Sequence, residues 1–113
     1  MELSIVICTY NRSSFLREGL EAIVHQSLAF LDVPIEMIVV DNNSSDDTSS
    51  VVEEFQNKFS SLSLVYFLEK QQGISFSRNT AIQNSKGKFI AFVDDDAVVN
   101  ANWLTSLIHS INH

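Results

Sequence analysis

Residues 3–9 read LSIVICT, a nearly continuous run of apolar and β-branched residues that decides the class of fold. A strand with one face in solvent alternates apolar and polar residues, whereas a strand covered on both faces does not. The run therefore predicts a buried strand of a parallel sheet that carries helices on both faces.

Working outward from this strand, the chain alternates between strand-like runs and stretches with helical spacing of apolar residues. The further predicted strands are 35–40 (IEMIVV), 62–68 (LSLVYFL) and 89–93 (FIAFV), the last interpreted as buried. The residues able to cap the four predicted helices are Ser13 or Ser14, Asp46 or Asp47, Ser75 or Ser77, and Asn100 or Asn102. Gly87 is interpreted as the stop of the third helix.

This β-α succession predicts one α/β domain over residues 1–113, without an internal linker or repeat. Right-handed crossovers favour a Rossmann-like, three-layer α/β/α arrangement with a mainly parallel sheet in the order 3-2-1-4. That order places a topological switch point between the first and fourth strands. Ligands of open α/β sheets bind beyond the carboxyl ends of the strands at such a point.

The charge balance restricts the ligands. Seven Lys and Arg face fourteen Asp and Glu, for a net charge of −7, so no basic stripe is available for nucleic acid. A phosphate-bearing ligand would need a cation between itself and the acidic site. No apolar run approaches the roughly 20 residues of a membrane span. The single cysteine, Cys8, is interpreted as a small buried hydrophobe, and a reducing cytoplasmic location is expected, either free or peripheral to the inner face of the membrane.

Three consecutive carboxylates, Asp94 to Asp96, follow the fourth predicted strand at the switch point. A hard cation, Mg²⁺ or Mn²⁺, would relieve their mutual repulsion and offer its remaining positions to phosphate oxygens. Side chains alternate along an extended segment, so Asp94 and Asp96 are the expected pair of metal ligands. The alternative is a solvated acidic turn that caps the next helix.

Other polar residues converge on the same edge of the sheet. Tyr10 could stack on a base while Asn11 fixes its edge, and Asp41 could accept hydrogen bonds from a base or a ribose. The guanidinium of Arg78 could contact a diphosphate. The alternatives are ordinary turn residues for the first three and a surface arginine for the last.

Motifs of several enzyme classes are missing. The sequence contains no GxGxxG, GxxxxGK or GxSxG, which argues against dinucleotide oxidoreductases, P-loop NTPases and hydrolases. A nucleotidyltransferase would carry a glycine-rich basic loop after the first strand, and residues 9–14 (TYNRSS) lack one.

Three segments resemble successive motifs of the family 2 glycosyltransferases, which are inverting enzymes with the GT-A fold: 7–12 (ICTYNR), 38–48 (IVVDNNSSDDT) and 73–104 (GISFSRNTAIQNSKGKFIAFVDDDAVVNANWL). The resemblance implies a nucleotide-diphosphate sugar as donor, most readily a UDP-sugar, and a saccharide or lipid-linked acceptor. It also implies residue roles: Thr9, Tyr10 and Asp41 at the base, Arg78 near the diphosphate, Asp94 and Asp95 near the ribose, and Asp96 on the metal.

A complete catalytic domain of that family is much longer than this chain. We therefore expect residues 1–113 to be the N-terminal, donor-binding half of such a domain, and we nominate no general base. The alternative is a non-catalytic nucleotide- or metal-binding module, or a truncated remnant.

Overall fold

The computed structural model describes residues 1–112 as strands and helices in strict alternation. The strands are β1 (Leu3–Thr9), β2 (Ile35–Asp41), β3 (Ser63–Leu68) and β4 (Phe89–Asp94). The helices are α1 (Ser13–Ser27), α2 (Thr48–Lys58), α3 (Ile74–Asn84) and α4 (Trp103–Ile111). A short 3-10 helix, Leu28–Phe30, extends α1 and was not predicted. None of the helices within residues 1–112 combines the length and apolarity needed to cross a bilayer.

The four strands form one parallel sheet in the order β3-β2-β1-β4, which confirms the predicted topology. In the register of the sheet, Thr9 lies opposite Asp41 on one side of β1, and Cys8 lies opposite Asp94 on the other. The polar residues that end β1, β2 and β4 are therefore brought to the same edge of the sheet, on both sides of the switch point.

The two faces of the sheet are covered unequally. Helices α1, α2 and α4 pack on one face, where Leu16, Leu20, Ile23 and Val24 of α1 are fully buried against the alternate residues of β1. Only α3 covers the other face within the described residues. There Ala81 packs against Val6, Ile38 and Val40.

The prediction that β4 is a buried strand is wrong for the described part of the chain. Phe89, Ile90 and Phe92 are 45%, 37% and 47% exposed. The reason is position: β4 is the last strand of the sheet, and α3 packs on β1 and β2 instead. An apolar run alone does not distinguish a central strand from an edge strand.

The N-terminus of α1 is satisfied by a long-range contact and not by the local caps that the sequence predicts. Ser13 and Ser14 are not caps, because α1 begins at Ser13, whose N–H donates to the Asp46 carboxylate (3.1 Å). Of the two predicted caps of α2, Asp47 directly precedes the helix without a side-chain bond, whereas Asp46, one position earlier, accepts the N–H of Thr48 (3.1 Å) and the Thr48 hydroxyl. One carboxylate therefore serves the first turns of two helices. Gly73 precedes α3, so Ser75 and Ser77 lie inside that helix, and Asn102 precedes α4 without a side-chain cap bond.

Gly87 has a different role from the predicted helix stop, since α3 already ends at Asn84. A Cβ atom on Gly87 would lie 2.6 Å from the backbone nitrogen of Ser4. The close approach lets the Gly87 N–H donate to the Ser4 hydroxyl (2.9 Å), which in turn donates to buried Glu36 (2.6 Å). Glycine is required here because only it lets the two backbones approach this closely.

Candidate functional site

A cleft of about 450 Å³ opens at the carboxyl edge of the sheet, between β1, β4 and the start of α3. This volume lies in the range of small-molecule sites, and the position is the switch point predicted by the topology. Four predicted site residues line the cleft: Thr9, Tyr10, Asp94 and Asp95. The remaining lining residues are Cys8, Arg12, Asn42, residues 72–74 and Ser77.

Asn11 lies outside the lining and connects two loops. Its backbone is in the left-handed region, with φ of 52°. Its N–H donates to the Ser44 hydroxyl (2.9 Å), and its side-chain oxygen accepts the N–H of Ser45 (2.8 Å). These bonds hold the turn after β1 against the loop after β2, and the role of Asn11 at a base stays a prediction.

Asp41 is also absent from the lining and is only 2% exposed. One carboxylate oxygen accepts the N–H of Ser44 (2.9 Å), and the other accepts the hydroxyl of Tyr66 (2.6 Å). Burial, together with the hydrogen bond to Asp41 and its charge, raises the pKa of Tyr66. Because an ionised carboxylate has about four acceptor positions, Asp41 keeps capacity for a further donor.

The acidic triplet does not continue the strand, so the expected alternation of side chains along one extended segment is not met, and the pairing of Asp94 with Asp96 on a metal stays a prediction. Strand β4 ends at Asp94, whose carbonyl accepts the N–H of Ala97 (3.1 Å) in a turn. The residues that converge are Asp95 and Asp96, which lie 3.5 and 3.4 Å from the same guanidinium nitrogen of Arg12. Asp95 also accepts the Thr9 hydroxyl at 3.0 Å.

The carboxylate oxygens of the acidic triplet fit a cation that is coordinated partly by the protein and partly by a ligand. Within residues 1–112, no group of three or more His, Cys, Asp or Glu side chains is arranged to hold a metal by itself. Mg²⁺ is commonly held by one or two carboxylates, with water and substrate phosphates in the other positions. The exposed oxygens of Asp94 and Asp96 have the hard character that Mg²⁺ and Mn²⁺ prefer.

Asn42 is an organising residue that the sequence analysis missed. It is 7% exposed, and its amide donates to the carbonyls of Glu69 (3.1 Å) and Gln71 (2.7 Å). Its side-chain oxygen accepts the N–H of Gly73 (2.9 Å). Asn42 therefore holds the loop that leads into α3 and forms one wall of the cleft. All three partners are 27 or more positions away, so no local signal could identify them.

Cys8, predicted to be a small buried hydrophobe, is half-buried: it packs against the core cluster of Val6, Ile38 and Val40 and also lines the cleft. Burial raises the pKa of the Cys8 thiol, while the charge of Arg78 opposes this increase and that of Asp95 adds to it. Arg78 itself is exposed outside the lining, with its guanidinium carbon 5.9 Å from the centre of the Phe92 ring.

A parallel sheet in this order, with an acidic cleft at its switch point, defines an α/β ligand-binding domain. Solved structures that resemble it include glycosyltransferases of the GT-A fold. The chain belongs to the family described as "Glycosyl transferase family 2", whose profile matches residues 4–113. The family and the fold inferred from the sequence motifs are thus confirmed.

Comparisons with individual proteins agree with this family assignment. The chain is 34% identical over 113 residues to the GalNAc(5)-diNAcBac-PP-undecaprenol beta-1,3-glucosyltransferase of Campylobacter jejuni, with 98% of this chain and 35% of that protein covered. It superimposes on the crystal structure of S. aureus TarS 1-349 in complex with UDP with a TM-score of 0.83 and 30% identity. That match covers 99% of this chain and 32% of the other.

A second structural relative is the mannosyltransferase PcManGT of Pyrobaculum calidifontis, solved in complex with GDP-Man and Mn²⁺. The TM-score is 0.83 at 27% identity, and the match covers 95% of this chain and 31% of that chain. The chain therefore spans about a third of the length of each of these proteins.

Proposed function

We propose that residues 1–113 form the donor-binding half of an inverting, metal-assisted glycosyltransferase. The observation that carries the proposal is the cleft, which places Thr9, Tyr10, Asp94 and Asp95 together at the switch point. The UDP and UDP-GlcNAc complexes of TarS support a nucleotide-diphosphate sugar, most readily a UDP-sugar, as the donor.

The uncharged part of the cleft suits a nucleobase. The ring of Tyr10 is 48% exposed and can stack on a base, since aromatic faces bind planar rings. Thr9 would supply a further contact to the base. Asp41 would accept a hydrogen bond from the base in addition to those it accepts from Ser44 and Tyr66. Asp94 and Asp95 would accept hydrogen bonds from the ribose.

Asp96, which follows the lining residues Asp94 and Asp95 in the chain, would hold Mn²⁺ or Mg²⁺ together with Asp94. The chemistry supplied by a bound divalent cation is neutralisation of the charge on the departing diphosphate. Arg78, which lies beside β4 outside the cleft lining, would approach the diphosphate from the α3 side. Its guanidinium would add charge-assisted hydrogen bonds to phosphate oxygens.

The proposed reaction is direct displacement at the anomeric carbon. The acceptor oxygen forms a bond to this carbon as the bond to the diphosphate oxygen breaks, and the acceptor proton passes to a general base. We place that base and the acceptor site in a part of the protein outside residues 1–113, because the relatives are about three times as long. On this proposal the isolated chain binds donor weakly and transfers no sugar.

The acceptor is proposed to be a saccharide or a lipid-linked saccharide. The name of the C. jejuni relative specifies an undecaprenol-linked acceptor, which supports the second of these. A lipid-linked acceptor would place the protein at a membrane surface, and the proposed location is the cytoplasm, at the inner face of the membrane.

The test is calorimetric titration of the full-length protein with UDP, with and without Mn²⁺. We expect Mn²⁺ to strengthen UDP binding in the parent and to have little effect in Asp96→Asn. Asp32→Asn is the matched control, because it removes the same charge from an exposed position at the opposite edge of the sheet. Unchanged Mn²⁺ dependence in Asp96→Asn would refute the metal assignment. Mn²⁺-dependent UDP binding without sugar transfer by the full-length protein would instead indicate a non-catalytic module.

A further inference from the structure

The hydroxyl of Ser77 is buried without a hydrogen-bond partner. Ser77 is 1% exposed, and its Oγ is the only buried side-chain nitrogen or oxygen within residues 1–112 that lacks a partner in the structure. A buried polar group without a partner costs free energy, so its presence in a native fold calls for an explanation.

A serine in a helix ordinarily satisfies its hydroxyl by donating to the carbonyl four positions earlier. Other helix-associated serines of this protein do so: Ser27 donates to the Ile23 carbonyl (2.8 Å), and Ser110 to the Ser106 carbonyl (3.0 Å). For Ser77, the corresponding carbonyl of Gly73 already accepts the N–H groups of Phe76 (3.1 Å) and Ser77 itself (3.3 Å). The Ser77 hydroxyl is therefore left for a partner outside the helix.

Ser77 lines the cleft together with Gly73 and Ile74 at the start of α3, and this helix start has no side-chain cap. Gly73 precedes the helix with φ of 138° and carries no side chain that could cap it, and the first turn contains no acidic residue. The N–H groups of a first helical turn have no acceptors within the helix, and they give this end a partial positive charge. By contrast, the first N–H group of α2, that of Thr48, donates to the Asp46 carboxylate (3.1 Å).

We propose that the Ser77 hydroxyl and the uncapped start of α3 form a subsite for a hydrogen-bond-accepting oxygen of the donor nucleotide, either a carbonyl oxygen of the base or a phosphate oxygen. This inference rests on the proposed function and adds to it. Asp94 and Asp95 supply acceptors to the cleft, and the subsite supplies the donors that the acceptor oxygens of a nucleotide need. Ser77 would then be retained for binding at a cost to stability.

The experiment compares Ser77→Ala with Ser75→Ala in the full-length protein. Ser75 lies in the same helix but is exposed and does not line the cleft, so its substitution is the matched control. For Ser77→Ala we expect UDP affinity to fall about three- to tenfold, the effect of one neutral hydrogen bond. We also expect the melting temperature to stay the same or rise, because the unsatisfied hydroxyl is gone. Ser77→Cys, which replaces the hydroxyl by a larger thiol that is only a weak donor, should lose affinity similarly.

Comparing uridine with UDP shows which oxygen of the nucleotide binds at the subsite. A loss already present with uridine assigns the oxygen to the nucleoside, whereas a loss seen with UDP alone assigns it to the diphosphate. Unchanged UDP affinity in Ser77→Ala, or a clear fall in its melting temperature, would overturn the inference while leaving the proposed function intact. Failure of the parent protein to bind UDP would overturn both.

Discussion

The hydroxyl of Thr9 donates to a carboxylate oxygen of Asp95 at 3.0 Å, joining residues 86 positions apart. This bond crosses the switch point, because Thr9 ends β1 and Asp95 follows β4. It holds the acidic turn against the strand that carries the rest of the cleft.

Loss of this bond should loosen the acidic turn. We expect Thr9→Val, which preserves shape, to lower stability by about 1 kcal/mol and to weaken Mn²⁺-dependent UDP binding several-fold. Denaturant unfolding and calorimetry measure the two effects. Thr105→Val, an exposed change on α4, serves as the control. Equal behaviour of the two variants would show that the Thr9 bond does not organise the turn.

Arg12 forms ion pairs with carboxylates of the acidic triplet, and a cation bound there would compete for the same oxygens. Its guanidinium lies 3.4 Å from Asp96 and 3.5 Å from Asp95. We expect Arg12→Gln to raise the affinity for Mn²⁺ alone up to about fivefold, because exposed ion pairs are worth at most about 1 kcal/mol. Free Mn²⁺ can be followed by electron paramagnetic resonance. Arg17→Gln, which removes a charge that pairs with Glu54, should have no such effect. Weaker Mn²⁺ binding in Arg12→Gln would contradict this competition.

The Asp46 carboxylate should contribute strongly to the free energy of unfolding. Because it serves the first turns of α1 and α2, we expect Asp46→Ala to cost about 1 to 3 kcal/mol, whereas Asp47→Ala should cost little. Chemical denaturation at neutral pH measures the difference. A cost below that of Asp47→Ala would show that the two helix starts do not depend on this carboxylate.

The same carboxylate should contribute to acid sensitivity. Burial raises the pKa of Asp46, but hydrogen bonds from Thr48 and Ser13 outweigh this and bring it below its ordinary value of 3.8. The stabilisation is therefore complete above that value and is lost as pH falls through the lower pKa of the folded state. Asp46→Asn should show a smaller loss of stability between pH 5 and pH 2, by about 1 kcal/mol or less. An identical pH profile would contradict the shift.

Cys8 offers a chemical probe of the cleft. Because burial raises its pKa above the ordinary 9.0, the reactive thiolate is scarce at neutral pH. We expect alkylation by iodoacetamide to be slow at pH 7.5, to accelerate only above pH 9, and to be suppressed by UDP with Mn²⁺. Mass spectrometry of the Cys8 peptide measures the rate. A rate that levels off below pH 8 would refute the raised pKa, and a lack of protection would place the ligand elsewhere.

Gly87 should matter for folding and not for binding. A methyl group there would meet the backbone of Ser4, so we expect Gly87→Ala to cost about 1 to 3 kcal/mol. UDP affinity should remain that of the parent, because this contact lies at the edge of the sheet opposite the cleft. The neighbouring Lys88→Ala should be nearly neutral in unfolding experiments. Parental stability in Gly87→Ala would show that the two backbones can separate easily.

Much of this protein follows from its sequence. The strand runs, the helical spacing and the right-handed crossover rule predict the order β3-β2-β1-β4, because each depends on local pattern or chain chirality. The topology in turn brings Thr9, Tyr10, Asp94 and Asp95 to one cleft. These residues could be identified because they end strands or directly follow them, and the ends of parallel strands meet at one edge.

Only the tertiary structure decided which side chains share partners. The pairing of Asp95 with Asp96 on Arg12, the bonds of Asn42 and the steric limit at Gly87 all join positions far apart in the chain. Burial is likewise a property of the whole fold, so neither the exposure of β4 nor the unpartnered hydroxyl of Ser77 has a local signature. Periodicity specifies the direction of a side chain within its own element, whereas the atom it meets depends on how the elements pack.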